Sequence, residues 1–580
     1  MNSRFDETHH NVRERLLAER GEHGHWEGEL SSSALSTATA VIALALVDRE
    51  LHGDLIRRGL AWLSANANTD GGWGDTILSK SNISTTTLAW AAFGLLGESA
   101  PTAEEWLVRE AGSVRPDQIA KTIIACYGKD RTFSVPILTA CALAGRLGKG
   151  RDAWARVIPL PFELAVLPAG FFKWLRLPVV SYALPALIAI GQVRHHHAPP
   201  KNPLTKFIRD CARNKSLRVL ERIQPVGGGF LEAAPLTSFV TMSLAGIGLA
   251  QHPVTVRAVK FLIESVRADG SWPIDTNLAT WVTTLSVNAL GDTLPDSERT
   301  KIRDWLLGQQ YREVHPFTNA APGGWAWTDL SGGVPDADDT AGALIALKNL
   351  GASDDPVRQA AANGIRWLLD LQNSDGGIPT FCRGWGALPF DRSTPDLTAH
   401  ALRAFAIWHD EIPLELQSRI GHAMRRALQF LARAQRPDGA WSPLWFGNQH
   451  APGEENLTYG TAQVLIGLQS LDDERSRALQ QPAIAWLLSA QNDDGSWGGG
   501  TRTPPSIEET SLAVSALATV PPAREAVLRG VDWLIEKTSA GREFPASPIG
   551  LYFARLWYFE KLYPLIHVAA ALERAQRFKD

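Results

Sequence analysis

The chain of 580 residues has little cysteine, little net charge and no long apolar run. Its 4 cysteines, Cys126, Cys141, Cys211 and Cys382, are scattered without metal-ligand or disulfide-framework spacing, which points to a reducing cytoplasm. Lys and Arg number 57 against 61 Asp and Glu, a net charge of −4, so bulk charge offers nothing to a nucleic acid or an anionic lipid. The opening "MNSRFDETHHNVRERLLAER" is too polar for a signal peptide. The most apolar stretch, "LPVVSYALPALIAIG" (177–191), is too short to span a bilayer and carries two prolines, which leaves it buried or lying on a membrane face. The "HHH" at 195–197 reads as a solvated loop, and the "GGG" runs at 227–229 and 498–500 as turns, since no Walker lysine follows them.

Tryptophan, by contrast, is abundant: 21 residues. Such an excess signals a repeat or a π-lined cavity. A repeat is visible: an apolar helix end, Gln, three residues, Gly, one residue, an aromatic. It is intact in "QRPDGAW" (435–441) and "QNDDGSW" (491–497), and ends in Phe or Ile in "QPVGGGF" (224–230) and "QNSDGGI" (372–378). The Gln is missing from "RGEHGHW" (20–26), "ANTDGGW" (67–73), "VRADGSW" (266–272) and "NAAPGGW" (319–325). Endpoints from Phe230 to Trp497 recur roughly every 40–65 residues, the range of helix-pair repeats. After each turn comes a Thr- or Ser-led, Ala/Leu-rich segment such as "TAGALIALKNL", with helical spacing and almost no alternation. The expected fold is all-α, two α/α barrels, with the turn tryptophans acting as staples between helices. A seam near 290–310 divides the chain into an N-terminal segment 1–25, a barrel over 26–295 and a second barrel over 296–580. The tail 544–572 reads as a final aromatic helix.

Within the second half, "PDADDTAGAL" (335–344) places Asp336, Asp338 and Asp339 at the mouth of an apolar helix. Three like charges there cost free energy unless the charge has a use. Pro335 and Asp336 read as a helix start, with Asp339 in a capping-box-like position, which leaves Asp338 free to face a cavity. Asp396 and His400, at i and i+4 in "DLTAH", share one helix face.

The Trp-ended repeats together with "GGWAW" (323–327) and "DADDTA" resemble the squalene–hopene cyclase family, the class II terpene cyclases, over essentially the whole chain. The resemblance implies two α/α barrels, with the N-terminal segment belonging to the C-terminal one and the other barrel inserted after it. It also implies attachment to one membrane leaflet and a homodimer. By residue, it makes Asp338 the Brønsted acid flanked by Asp336 and Asp339. It makes Asp396 and His400 the second acidic element, whose histidine hydrogen-bonds the acid. Cavity positions fall on Trp174 (with Arg176, in "FKWLRLPVV"), Trp327, Phe381, Tyr459 (with Asn456) and Trp445. The tail aromatics Phe544, Tyr552, Phe553 and Trp557 are further candidates. The lining departs from that of hopene-forming members. Ile274 stands where they carry Trp, Phe381 where they carry Tyr, "FLEAAPLTS" (230–238) lacks their Gln-Pro-Pro, and the loop 445–456 is longer.

The chemistry so implied has definite needs. Protonating an alkene leaves a tertiary carbocation, so the acid must be strong and the cavity dry and free of bases. A protonated His400 and a helix N-terminus would stabilise the conjugate carboxylate. Aromatic faces stabilise a travelling cation without acting as bases. No metal or cofactor is called for. The expected substrate is a linear polyprene, squalene or a related C30–C35 hydrocarbon, drawn from a membrane at the cytoplasmic face through segment 159–191 or the tail helix. A class II diterpene-type cyclase, which takes a prenyl diphosphate and would add Mg²⁺, is the alternative. A zinc prenyltransferase-type subunit lacks the Asp-x-Cys it would need, and a non-enzymatic toroid would leave the acidic motif without a role.

Overall fold

A computed structural model of the chain describes residues 2–175, 184–351, 354–384, 389–551 and 555–578. Its helices are paired by one recurring turn. At each turn the indole N–H donates back to a carbonyl of the preceding helix: Trp73 to Leu63 at 2.9 Å, Trp272 to Leu262 at 2.7 Å, Trp441 to Leu431 at 2.9 Å and Trp497 to Leu487 at 2.8 Å. Its backbone N–H donates forward to a hydroxyl of the next inner helix: Trp73 to Thr86, Trp441 to Thr461, Trp497 to Thr510. The repeat glutamine closes the unit. Gln435 Nε2 donates to Gly439 O across its own turn and to Leu479 O in the next helix pair. The "NAAPGGW" turn, whose Gln looked lost, has one further back. Gln310 donates to Gly323 O and Ala360 O, and the residues between them loop out. Each such bond contributes on the order of 1 kcal/mol net, and the burial of each indole contributes more.

The same device sets the topology. The backbone N–H of Trp26 donates to Thr283 Oγ1 at 3.0 Å, and that of Trp272 to Thr37 Oγ1 at 3.1 Å. The chain's first turn therefore caps a helix some 250 residues away, and the turn at Trp272 caps the helix that follows Trp26. Everything between loops out as a closed ring. Its inner helices are Ala34–Asp48, Ile83–Leu95, Ser134–Leu143, Leu184–His197 and Ala234–Ala245, the last packing back on the first. The second ring closes through Ala279–Leu290, Ala337–Asn349, Pro395–Trp408, Leu457–Leu468, Ile507–Leu517 and Tyr563–Ala575, the last again meeting the first. The N-terminal helix Asn2–Ala18 packs outside this second ring, on Tyr563–Ala575. The helix Ala279–Leu290 thus belongs to the second ring, and the seam lies nearer residue 275 than the expected 295. Apolar side chains of both rings meet between them, Ile188, Leu220, Phe230 and Val240 packing with Phe317, Val334 and Phe381.

Two further readings change. The tail is not one long helix. Ile549–Leu551 and Leu556–Tyr558 pair with Phe446–Gly447 in a three-stranded antiparallel sheet, and helix begins only at Tyr563. Pro545 and Pro548 break helix before the sheet, and Pro564 restarts it at a first-turn position. The three histidines 195–197 form the last turn of Leu184–His197 rather than a loop. His195 bonds Asp210 at 2.8 Å, and His197 stacks on Trp154 at 4.6 Å. Among the described residues, no helix is long and apolar enough to cross a membrane.

Candidate active site

First-turn N–H groups of inner helices in the second ring donate to the loop that leads into the next one, Trp281 to Trp327 O, Ala337 to Thr380 O and Thr458 to Gly499 O. These helices therefore run parallel with their N-termini at one mouth, where Gly332 N–H meets Glu232 of the first ring. Each N-terminus carries partial positive charge, and a carboxylate placed there is favoured. The acidic motif sits at this mouth. Asp336 is the N-cap of Ala337–Asn349, and its carboxylate accepts the N–H groups of Asp338 and Asp339, both at 2.9 Å. The capping box does not close. The N–H of Asp336 goes to Trp325 O, and Asp339 turns to Asp336's carboxyl instead. Burial raises both carboxyls above the usual carboxylate range and Asp339 the further, so Asp339 keeps its proton and hydrogen-bonds Asp336. The cap therefore absorbs two of the three charges.

Asp338, one residue into the helix, is left facing the lumen. Its Oδ1 lies 2.6 Å from His400 Nδ1, the histidine reaching across from the neighbouring helix Pro395–Trp408. Asp396, one turn before His400, lines the same cavity. Its carboxyl is buried and pushed up to about 7, chiefly by burial, with the hydroxyl of Thr394 opposing. It contributes a neutral dipole below that pH, not a second charge. Tyr459 also lines the cavity. Its phenol is held well above its ordinary range by burial and by the charges of Asp338 and Asp396.

Above the mouth, three loops carry aromatic rings. They are ordered by the same turns: Ala337 N–H donates to Thr380 O at 2.8 Å, and the indole of Trp445 to the hydroxyl of Thr380. Phe381 meets Trp327 edge-on at 6.3 Å and Trp445 at 5.6 Å, and Phe390 joins both Phe381 and Trp445 at 6.2 and 6.4 Å. Trp327 is pinned by its indole N–H to Asp275 Oδ2 at 3.1 Å. A second group, Trp281, Tyr563 and Tyr558, is linked by hydrogen bonds of 3.0 and 3.5 Å; Trp281 shares the cavity with Asp338.

The structure therefore brings together Asp336, Asp338, Asp339, Asp396, His400, Tyr459, Trp327, Phe381 and Trp445. It does not bring in three others. Phe544 packs, half-buried, against the core of the second ring. Ile274 packs on the first ring's core. Trp557 is buried where its N–H meets Asp75 Oδ2, at 2.8 Å, and ties the tail to the first ring. Tyr552, Phe553 and the side chain of Trp174 lie outside the described residues. Phe390, Trp281, Tyr558 and Tyr563 went unread in the sequence. A signal for Trp281 exists: it is the third residue of its inner helix, as Tyr459 is of its own, and that position faces the mouth.

Models of the squalene-hopene cyclase C-terminal and N-terminal domains match residues 278–571 and 10–219 of the chain, and a prenyltransferase alpha-alpha toroid model matches 171–379. The chain is 28% identical to a terpene cyclase-glycosyl transferase fusion protein of Humicola fuscoatra, over 96% of the chain and 48% of that protein. It is 25% identical to an enfumafungin synthase of Hormonema carpetanum, over 92% of the chain and 45% of that protein. It thus spans about half the length of these two relatives. A squalene–hopene cyclase of Alicyclobacillus acidocaldarius is 26% identical, over 90% of the chain and 89% of that enzyme. Among solved structures, an ent-copalyl diphosphate synthase from Streptomyces platensis shares the fold over 99% of both chains, with a TM-score of 0.57 and 19% identity.

Proposed function

The chain belongs to the squalene–hopene cyclase family, and from that premise we propose that it is a class II, proton-initiated cyclase of a linear polyprene such as squalene. The observation that carries the reading is Asp338 bonded to His400 at 2.6 Å, at a mouth of parallel helix N-termini and beneath a cluster of aromatic rings.

Protonated Asp338 is the acid. His400 Nδ1–H donates to Oδ1, so the transferable proton sits on Oδ2. The terminal alkene's π pair takes that proton and forms a C–H bond. The O–H pair stays on Asp338 as carboxylate, and a tertiary cation is left on the polyene. His400, the helix N-terminus and the protonated Asp339 stabilise the new carboxylate without offering a base. The cation then moves along the folded chain beneath Trp327, Phe381, Phe390 and Trp445, each aromatic face stabilising it by about 0.5–2 kcal/mol. The product skeleton follows from how these rings fold the polyene.

Incubating wild type and Asp338→Asn with squalene and with geranylgeranyl diphosphate, with and without EDTA, tests the reading. Cyclic product from squalene, lost in the variant while the fold is retained, is expected. EDTA-sensitive turnover of the diphosphate alone would assign the diterpene-type reaction instead.

Membrane docking belongs to the same proposal, since squalene does not travel through water. Leu164, Leu167 and Phe171 are exposed along the short helices Phe162–Val166 and Ala169–Trp174 and the link between them, and Leu204, Phe207 and Ile208 on the adjacent helix Pro203–Ile223, joined by Arg209–Glu163 at 3.1 Å. An exposed apolar patch of this kind favours a lipid face. The tail helix, the other candidate for contact, is buried in the second ring through Leu565, Ile566 and Val568. Co-sedimentation with phosphatidylcholine vesicles is expected to fall in the Phe171→Glu, Phe207→Glu double variant; unchanged binding would remove this face from consideration.

A further inference from the structure

The cavity of about 90 Å³ that Asp338 and His400 line runs on through the lumen of the second ring, and the residues at its far end belong to no step above. Arg403 lies one turn beyond His400 on the same helix, and Arg574 lies near the end of Tyr563–Ala575; both line this cavity with Asn288, Gln463 and Ser515. Neither guanidinium forms an ion pair among the described residues. The nearest charged groups acting on Arg574 are other cations, Arg403 and Arg577, and no carboxylate acts on either arginine. One guanidinium N–H of Arg574 reaches Ser515 O at 3.3 Å. Burial weakens the cationic form of both, Arg574 down to about 9. His567, beside them, is held neutral, its pKa down to about 4 through burial.

An arginine does not shed its charge at neutral pH, and two half-buried cations that share a lumen without a counter-charge repel each other. The carbonyl ends of the inner helices offset this only partly, since a helix C-terminus is worth about 0.3–1 kcal/mol to a cation. The carboxyls of the same lumen do not help: Asp396 is neutral up to about 7, and Asp338 is engaged by His400. The whole cavity, the Asp338 end included, has the volume of several waters, so its arginine end suits no more than one halide or one phosphate-sized oxyanion. A planar fork from each side, with amide and hydroxyl groups between, is the donor set such an anion takes.

We propose that the lumen behind the acid is an anion site, in which Arg403 and Arg574 clamp one small inorganic anion. The site does not depend on which substrate the enzyme cyclises. Its occupant places negative charge about one helical turn from His400, within the ring that holds the proton donor.

Thermal unfolding of the full chain at constant ionic strength, exchanging gluconate for bromide in one arm and for phosphate in another, tests this. Gluconate is too large for the cavity. A saturable rise in Tm with bromide or phosphate is expected, and the arm that responds identifies the occupant. Arg403→Gln and Arg574→Gln are expected to lose the rise, and Arg403→Lys to keep part of it. Bromide-soaked crystals of the wild type provide a readout that needs no variant: an anomalous peak between the two guanidinium groups. No anion-selective rise, a rise that survives in both glutamine variants, or a lumen without bromide would each overturn the proposal. So would glutamine variants more stable than wild type in every salt, because then the two charges simply stand unpaired.

Discussion

The two rings are built from one repeat but filled differently. In the first ring, the buried polar groups of Ala34–Asp48, Ile83–Leu95, Ser134–Leu143 and Ala234–Ala245 are hydroxyls, and Leu184–His197 adds Gln192 and His195, engaged by Ser216 and Asp210. Several of the hydroxyls are bonded back into their own helix, as Thr39 to Leu35 O, Thr139 to Val135 O and Thr241 to Thr237 O. Such a lumen has no chemistry to offer and little to lose. In the second ring the equivalent positions hold Asp338, Asp396, His400, Glu508 and Glu509, most of them buried. Burial pushes Glu508 up to about 8 and Asp396 to about 7. The scaffold is the same; one ring spends its interior on stability, and the other tolerates ionisable groups that oppose it.

The contrast can be broken at several points. The largest effect is expected from Asp338→Asn, a loss of cyclase turnover on the order of 10³-fold or more at unchanged or higher Tm, whereas Thr139→Val in the first ring leaves turnover within about twofold. His400→Gln comes next. The acid loses its partner, and turnover is expected to fall about 10²-fold with a changed pH profile rather than a changed Tm. The aromatic residues separate by role, staples in both rings against lining at the second ring's mouth. Trp272, fully buried and stapled to Leu262, is structural, and Trp272→Ala is expected to cost about 3–5 kcal/mol with the product unaltered in the folded fraction. Trp327→Leu is expected to shift the product pattern, read by mass spectrometry, with a smaller loss of stability.

The smallest effect is a linkage. The carboxyl of Asp396 has a folded pKa of about 7, above its ordinary value, so the native state holds a proton that the unfolded chain releases. This group's contribution to stability is full at low pH and is lost as pH rises toward 7. Asp396→Asn, which cannot titrate, is therefore expected to gain on wild type in Tm between about pH 4 and 7, with no further gain above. A constant difference across that range would show that Asp396 is ionised when folded.

Much of this was legible in the chain because the repeat is local. The turn from Gln to Trp specifies a hydrogen-bond set within a few residues, and "DADDTA" with "DLTAH" lies on two adjacent inner helices; register put Asp396 and His400 on one helix face, and the family resemblance supplied the pairing of His400 with Asp338. What was hidden depends on distant chain. Helix Ala279–Leu290 reads as the end of the first barrel, yet its cap comes from Trp26. The tail's strands are set by pairing with Phe446–Gly447, and Trp557 is tied to the first ring by its backbone N–H, which serves Asp75, 482 residues back. Periodicity carries no trace of those partners. Arg403 shows the converse: its position one turn after His400 was plain, but its lack of a carboxylate partner is a property of the lumen.

The central claim is that Asp338 starts the reaction with a solvent-exchangeable proton. Cyclisation of squalene in D₂O tests it most directly. The account predicts one non-exchangeable deuterium in each product molecule, on the ring methylene next to the gem-dimethyl carbon, and no such product from Asp338→Asn. A cyclic product carrying no deuterium at that methylene, or one formed equally well by the variant, would contradict it.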